Sequence, residues 1–278
     1  MNDAESAFAS KDVPSALMRQ TLLDRELVRP VTDRPPLRLL PWLHVVTLGG
    51  RSIMDRGRDA VEPLLDELRE VFADRKLLIL TGGGIRARHV LGVALDLGLP
   101  TGALAALAST EAEQNGHIVA ALLAEDGVSY LPHTTVGHQL AVHLAASPAA
   151  VSNGFPPYEM FEFPPAVGKI PPHRTDAGAF LIADAYGAAR VIFAKDVDGV
   201  YTRDPATAAD GEAELIERVG AAELLEMNLP SLPIDRIVLE LMANAKHQKE
   251  IQIVNGLTSG NITKALNGEH VGTIVYAD

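Results

Sequence analysis

The run Ala194-Lys-Asp-Val-Asp-Gly-Val-Tyr-Thr-Arg-Asp-Pro205 decides the fold, because it directly follows the apolar, strand-like segment Arg190-Val-Ile-Phe193. It sets a lysine and two aspartates at the end of a buried strand, turns at Gly199 and closes on Asp204-Pro205. In open α/β sheets, ligands bind at the carboxyl ends of the strands. The run therefore predicts a site for a nucleotide and its metal, although Asp-Gly followed by Val-Tyr also fits a plain hairpin turn.

Strand-like and helix-like segments alternate on both sides of this run. Buried strands are predicted at Leu43–Leu48, Lys76–Leu80 and Ile251–Val254, and helices at Asp59–Phe72 and Ile85–Leu97. Such alternation implies right-handed βαβ crossovers and a mostly parallel sheet. Further elements are predicted at Glu111–Ala124, Val128–Leu131, Val136–Ala145, Ala149–Ser152, from Asp176, at Ala221–Met227 and at Pro233–His247.

Composition limits the kinds of function that the chain can have. Of its 278 residues, 47% are hydrophobic but only 5% are aromatic, which is typical of helices packed on a parallel sheet. The formal net charge of −12 argues against nonspecific nucleic-acid binding. The absence of cysteine excludes disulfides, Fe–S clusters and thiolate zinc sites. Because no apolar run reaches the ~18 residues of a membrane span and no signal-peptide core is visible, a cytoplasmic protein is predicted.

Two glycine segments each follow a predicted strand and precede a helix, Leu48-Gly-Gly50 and Thr81-Gly-Gly-Gly84. Backbone N–H groups in such turns form anion nests, and the positive end of a following helix adds to them. Tight turns that need glycine without any ligand are the alternative. The Gly-Lys-Ser/Thr ending of a Walker loop is absent. The residues predicted to cradle phosphate are Gly49, Gly50, Gly82, Gly83 and Gly84.

Two arginines follow the triple glycine at once. The planar guanidinium groups of Arg86 and Arg88 suit the oxygens of a phosphate or of another tetrahedral oxyanion. Both are therefore candidate anion ligands, and the solvated face of a helix is the alternative.

The order of these segments resembles that of the amino acid kinase family, which includes the uridylate kinases. The similarity covers roughly residues 38–276 and includes three further segments, Thr175-Asp-Ala-Gly-Ala-Phe180, Val254–Leu266 and Gly268–Ile274. The resemblance implies an α/β fold, a three-layer α/β/α sandwich with a mainly parallel central sheet. It also implies ATP and Mg²⁺ as cofactors.

The same resemblance implies roles for individual residues. Lys195 would contact the phosphates, Asp196 would bind Mg²⁺, and Asp176 would orient the metal shell or the glycine loop, unless it only complements its helix dipole. Most of these kinases carry a lysine where this chain has Thr47, and Arg51 is the candidate substitute. The remaining cofactor-binding residues implied are Asp198, Gly199, Tyr201, Asp204 and Pro205, the last three beside the base and ribose.

Several stretches resemble, more specifically, the molybdenum storage branch of the family. They are Leu39–Leu43, Ser52–Gly57, Arg86–Val90, Glu113–Gly116, Phe155–Tyr158 and Ile170–Gly178. This resemblance implies a subunit of an ATP-binding hexameric cage, built as a trimer of dimers. Such a cage holds molybdate or tungstate as polyoxometalate clusters, with one subunit type or with a second homologous one.

Candidate ligands of such a cluster are His133, His138, Gln139, Glu159 and His173. Storage subunits place a histidine directly after Pro-Pro-Tyr, where this chain has Glu159. A carboxylate only accepts hydrogen bonds and is anionic, so it disfavours a polyanion. For each histidine alone, an ordinary surface or hydrogen-bonded role is the alternative. Nine histidines without a cysteine suit hard oxyanions better than a metal that prefers thiolates.

The chain is predicted to consist of an arm and a domain. Residues 1–37 are interpreted as an arm that docks on a neighbouring subunit, with a disordered tail as the alternative. Residues 38–278 are interpreted as an amino acid kinase-like domain, with an anion and cargo lobe over 38–174 and a nucleotide lobe over 175–278. The proline-rich stretch between Gly154 and Arg174 interrupts the pattern, and we expect it to be functional.

Two other functions stay open at this point. A uridylate kinase, or another nucleoside monophosphate kinase, would transfer the γ-phosphate of ATP to UMP. A nucleotide-binding homologue without storage activity would do neither, and Thr47 and Glu159 both favour it. Whether ATP is hydrolysed during oxyanion loading is also open.

Overall fold

A computed structural model describes residues 35–162, 169–208 and 212–277 of the chain. From Arg38 onward the chain forms one compact unit around a mixed sheet. The strands are β1 Leu43–Leu48, β2 Lys76–Thr81, β3 Ser129–Tyr130, β4 Ala149–Asn153, β5 Arg190–Lys195, β6 Val200–Tyr201, β7 Leu215–Ile216, β8 Arg218–Gly220, β9 Glu250–Asn255 and β10 Thr273–Tyr276. The main sheet has the order β3-β4-β2-β1-β5-β9-β10-β8, and β6 and β7 form a separate ribbon. All neighbours in the main sheet are parallel except β9 and β10.

Helices cover both faces of this sheet. They are α1 Arg58–Val71, α2 Gly84–Asp96, α3 Thr101–Leu122, α4 Val136–Ala146, α5 Thr175–Tyr186, α6 Ala221–Glu226, α7 Ile237–Met242 and α8 Asn261–Asn267. Val45 and Val46 are both fully buried but belong to different apolar clusters, because successive strand residues point to opposite faces. One cluster includes Phe180 of α5, and the other includes Leu65 of α1. The three layers confirm the predicted α/β/α fold class.

The central strands end level with one another. In parallel pairing, Leu48 at the end of β1 stands opposite Thr81 of β2 and Ala194 of β5. Every residue of β1 is buried, as expected of a parallel strand that is covered on both faces. The residues that come next, Gly49, Gly82 and Lys195, therefore lie at one edge of the sheet.

Two helices differ in length from their predictions. Helix α3 begins at Thr101 rather than at Glu111, because the alanine-rich turns after Pro100 favour helix even though they lack charged residues. The predicted helix Pro233–His247 shrinks to α7, because the residues before Ile237 are used as a loop at the sheet edge.

The hairpin alternative for the run 194–205 is wrong. Strand β5 pairs with β1 and β9, whereas β6 pairs with β7, which lies more than ten residues further along the chain. The residues 196–199 are a bend that carries the chain out of the main sheet. The run therefore ends a central strand, as the ligand-site interpretation requires.

The arm and the division of the domain into two lobes stay predictions. The arm falls on residues 1–37, of which residues 1–34 lie outside the described part, and the division into two lobes at residue 174 is untested. Among the described helices, none is long and apolar enough to cross a membrane.

Candidate functional site

A cleft of about 710 Å³ opens at the edge where β1, β2 and β5 end. Its walls come from the two glycine segments, the start of α5, the end of β5 and residues 229–236. Most residues predicted to bind phosphate, nucleotide or Mg²⁺ line it. They are Gly49, Gly50, Arg51, Gly82, Gly83, Gly84, Arg88, Asp176, Lys195, Asp196, Gly199, Tyr201, Asp204 and Pro205.

The two glycine segments touch each other backbone to backbone. A Cβ on Gly50 would lie 2.1 Å from the Gly84 nitrogen, and a Cβ on Gly82 would lie 2.7 Å from the Gly50 nitrogen. Glycine is therefore required by this contact, whether or not an anion binds. Within the described ranges, no hydrogen bond uses the amides of Gly50 or Gly83, so these N–H groups are available to an anion.

The amino end of α2 already carries a carboxylate. Asp55, in the 3-10 turn Met54–Arg56, accepts a hydrogen bond from the Ile85 amide at 2.6 Å. Its carboxylate lies against Gly84, whose φ of +66° is the left-handed conformation that favours glycine. Asp55 therefore already complements the positive end of α2. An anion in the cleft would be bound by the amides of the glycine loops instead of by this helix end.

Lys195 and Asp176 form a buried ion pair in the cleft. Lys195 Nζ donates to both carboxylate oxygens of Asp176 at 2.9 Å, and each side chain is only 10% exposed. The Asp235 amide donates to Asp176 Oδ2 at 3.1 Å. Burial raises the pKa of the Asp176 carboxyl, and the Lys195 ammonium opposes that shift. Asp176 thus fixes the lysine nitrogen at the end of β5.

Residues 229–236 form a wall of the cleft that sequence reasoning missed. Arg174, just before α5, is ion-paired with Asp235 of this wall. Arg236 donates to the Leu229 carbonyl at 3.2 Å, which closes the loop on itself. The sequence signal available was Pro230 and Pro233, because proline lacks the backbone donor and is disfavoured in a helix interior.

The two aspartates after Lys195 have different partners. Asp196 lines the cleft, and its Oδ2 accepts a hydrogen bond from Arg56 Nη2 at 2.7 Å. Asp198 is not among the cleft-lining residues, and it accepts hydrogen bonds from the Tyr201 hydroxyl at 3.1 Å and from Asn255 Nδ2 at 2.9 Å. Asp198 therefore positions Tyr201, and Asp196 is the carboxylate that faces a ligand.

The cleft fits Mg²⁺ only in company with a ligand. Proteins bind Mg²⁺ at nucleotide sites through one or two carboxylates together with the phosphates. Asp196 supplies one such carboxylate on the cleft wall. In the described part of the chain, no group of three or more His, Asp or Glu side chains forms a metal site by itself.

Thr47, at the position of the family's lysine, puts a neutral group on the cleft wall. It is 4% exposed, and no atom of the described residues forms a hydrogen bond with its Oγ1. A buried hydroxyl without a partner carries a free-energy cost that a polar ligand atom would remove. The predicted substitute, Arg51, is exposed on the same wall.

The two arginines of α2 have different surroundings. Arg86 donates to Asn115 and lies 3.7 Å from Glu111 Oε2, so it is held by α3 and does not line the cleft. Arg88 is exposed and lines the cleft. Of the pair, Arg88 is the one that an anion in the cleft can reach.

Of the predicted cluster ligands whose side chains the structure describes, namely His133, His138, Gln139 and His173, none lines this cleft. His133 is buried, and its Nδ1 lies 3.0 Å from Asn153 Nδ2. His138 and Gln139 are exposed on α4. Glu159 belongs to a 3-10 turn, and its side chain lies outside the described part. Among the described residues, the histidines of this set belong to no group of three or more His, Asp or Glu side chains that could hold a metal ion.

His173 stands in a small polar cluster of the proline-rich stretch. Its Nδ1 lies 2.8 Å from the Tyr158 hydroxyl and 3.1 Å from Glu162 Oε1. Glu162 is 2% exposed, and burial raises the pKa of its carboxyl while His173 opposes that shift. Burial, followed by the Glu162 charge, raises the pKa of Tyr158 to about 12.

Comparison with known sequences finds proteins of the family that the sequence motifs resemble. The sequence profile of the "Amino acid kinase family" matches residues 42–256. The chain is 42% identical over 271 residues to molybdenum storage protein subunit beta of Azotobacter vinelandii, covering 98% of this chain and 99% of that one. It is 30% identical to the uridylate kinase of Thermofilum pendens, covering 84% of this chain and 98% of the relative.

Solved structures share the fold. Uridylate kinase from Archaeoglobus fulgidus superposes with a TM-score of 0.65 at 23% identity, over 84% of this chain and 99% of that one. UMP kinase from Bacillus anthracis gives a TM-score of 0.65 at 18% identity, over 87% of this chain and 97% of that one.

Proposed function

Because the chain belongs to the amino acid kinase family, in the branch of the molybdenum storage protein subunits, we propose that it is an ATP-binding subunit of a storage cage. Its cargo is molybdate or tungstate, held as polyoxometalate clusters. The cage is a cytoplasmic hexamer, built as a trimer of dimers from this chain alone or with a second homologous subunit.

The observation that carries the nucleotide part is the buried Lys195–Asp176 pair in a cleft walled by two glycine loops. A buried ammonium is costly unless it is paired, and Asp176 supplies that partner and a fixed position. The loop amides of Gly50 and Gly83, which donate no hydrogen bond within the described ranges, add donors for an anion. A fixed cation beside unpaired N–H groups suits a polyphosphate.

Each wall of the cleft has a part in this proposal. Lys195 and the loop amides hold the phosphates, with Arg51 and Arg88 as exposed cations at the walls. Tyr201, fixed by Asp198, lies with Asp204 and Pro205 beside the base and ribose. Asp196 is the residue that would hold Mg²⁺, and bound Mg²⁺ would neutralise charge on the phosphates.

Thr47 favours storage over transfer to UMP. The resemblance implies that the kinases use a lysine at this position, and phosphoryl transfer depends on cations around the transferring group. A buried, neutral threonine hydroxyl supplies a dipole in place of a full charge. Transfer of the γ-phosphate to UMP is therefore disfavoured, whereas ATP binding through Lys195 and the loop amides is retained.

The cargo side is carried by the kinship with the storage subunit. We assign His133, His138, Gln139 and His173 as the residues of this chain that contribute to cluster binding, with Glu159 as a tolerated substitution. The described residues form no metal site of three or more His, Asp or Glu side chains within one chain, which fits a chamber that several subunits complete.

Oxyanion uptake tests the proposal. Metal-free protein is incubated with molybdate, MgCl₂ and ATP and then desalted, and molybdenum per chain is counted by elemental analysis, with an ATP-free control. We expect many ATP-dependent molybdenum atoms per chain, and their loss in Lys195→Met but not in the surface control Lys264→Met. ATP binding without any uptake would indicate a nucleotide-binding homologue, and turnover of UMP would indicate a kinase.

A further inference from the structure

We propose that Arg56 is the resident counter-ion of Asp196, and that a divalent cation displaces it when nucleotide binds. The inference rests on the proposed nucleotide site. It makes Arg56 a positioning residue, which acts on the ligand through Asp196.

Arg56 is held in place by the loop that forms the cleft. The 3-10 turn Met54–Arg56 is tied to the first glycine segment, since Met54 donates to Gly49 O at 3.1 Å and Asp55 donates to Gly50 O at 2.8 Å. Asp55 also accepts from Ile85 at the start of α2. The adjacent Arg56 therefore starts from a fixed backbone and crosses to the end of β5.

The two ion pairs at this strand end differ in exposure and in the number of hydrogen bonds. Asp176 accepts two hydrogen bonds from Lys195, and both side chains are 10% exposed. Asp196 accepts one from Arg56, and these side chains are 23% and 49% exposed. A partly exposed pair with one hydrogen bond contributes little to stability and exchanges partners readily. Asp196 is thus the carboxylate that can be released.

Arg56 balances the negative charge of Asp196. Without a metal, an unpaired Asp196 would repel a polyphosphate in the cleft, and Arg56 cancels that charge. Mg²⁺ and Mn²⁺ favour carboxylate oxygen, so either ion can take over this role. Arg56 does not line the cleft and is not held by any other carboxylate among the described residues. Release from Asp196 would therefore leave its guanidinium free at the rim.

Removal of Arg56 should therefore shift ATP and metal affinities in opposite directions. We expect Arg56→Met to weaken ATP binding in EDTA about fivefold and to strengthen Mn²⁺ binding by a similar factor. Arg56→Lys keeps the charge and should restore most of the metal-free ATP affinity. The matched control is Arg58→Met, because Arg58 is an exposed arginine two residues away that pairs with Glu62 on its own helix.

The experiment is a double-mutant cycle on the full chain. ATP affinity is measured by calorimetry in EDTA and in Mg²⁺, and the affinity of the ATP-bound chain for Mn²⁺ is measured by electron paramagnetic resonance. In the Asp196→Asn background, Arg56→Met should change neither affinity by more than about 1.5-fold.

Additive effects of the two substitutions, or equal effects with and without metal, would overturn the inference. If the wild-type chain binds no ATP, the proposed nucleotide function fails. ATP binding by the wild type without coupling between Arg56 and Asp196 would overturn this inference alone.

Discussion

Two regions differ in how much of a binding site one chain provides. One is the cleft at the strand ends, and the other is the set of segments that carry His133, His138 and His173, called here the histidine segments. At the cleft, residues more than a hundred positions apart meet because β1, β2 and β5 end level. The histidines lie on α4, in the 3-10 turn before it and in the proline-rich stretch, and the described residues bring no three of them together. A site at the edge of a parallel sheet is set by topology. A site distributed over surface segments depends on what assembles around it.

The strongest test of the cleft as a self-contained unit is Asp176→Ala. It leaves Lys195 buried without its partner, which should lower the free energy of unfolding by about 3–5 kcal/mol. Urea denaturation followed by circular dichroism measures the loss. The double variant Asp176→Ala/Lys195→Met should recover part of it, because no charge is then left unpaired. Equal destabilisation in both variants would show that lost packing, rather than an unpaired charge, causes the effect.

A second test targets the contact between the glycine loops. Gly50→Ala places a methyl group 2.1 Å from the Gly84 nitrogen, so one loop must move, at a cost of about 1–3 kcal/mol, and ATP affinity should fall with it. The matched control is Gly92→Ala, since Gly92 is exposed on α2 with no atom within 4 Å of an added Cβ. That variant should be stabilised by up to about 1 kcal/mol. Unchanged stability in Gly50→Ala would contradict the close contact.

The elements that form the cleft could be predicted from the sequence, whereas contacts between residues distant in the chain could not. The run 194–205 and the glycine segments gave the strand ends, the buried lysine and most of the cleft, because local pattern and strand topology determine them. The partners of Asp176 and Asp196 could not be read from the chain, since Asp235 and Arg56 lie 59 and 140 positions away. Residues 233–236 of the wall were predicted as the start of a helix, because the apolar residues after Pro233 have helical spacing.

The histidine segments are tested by separating cargo from nucleotide. His173→Gln should reduce molybdenum per chain severalfold in the uptake assay, because it removes a group that can carry positive charge. ATP affinity should stay within about twofold, since His173 does not line the cleft. As a matched control, His270→Gln changes an exposed histidine near β10 and should alter neither quantity. Parallel loss of uptake and ATP affinity would show that the two regions form one site.

The smallest expected effect is a pH dependence in the proline-rich stretch. Burial raises the pKa of Glu162 above its ordinary 4.5, so the folded state holds this proton more tightly than the unfolded chain does. The stability that comes from burying the neutral acid is present below pH 4.5. It is lost as the pH rises through the raised value.

The variant Glu162→Gln keeps a neutral group of similar shape and should remove that part of the pH dependence. As the pH rises above 4.5, the unfolding free energy of the variant should increase relative to that of the wild type. Urea titrations at a series of pH values measure the difference, with Glu226→Gln as an exposed control. If the two curves stay parallel, His173 compensates the charge of Glu162 fully. The proline-rich stretch would then resemble the Lys195–Asp176 pair, as a polar cluster complete within one chain.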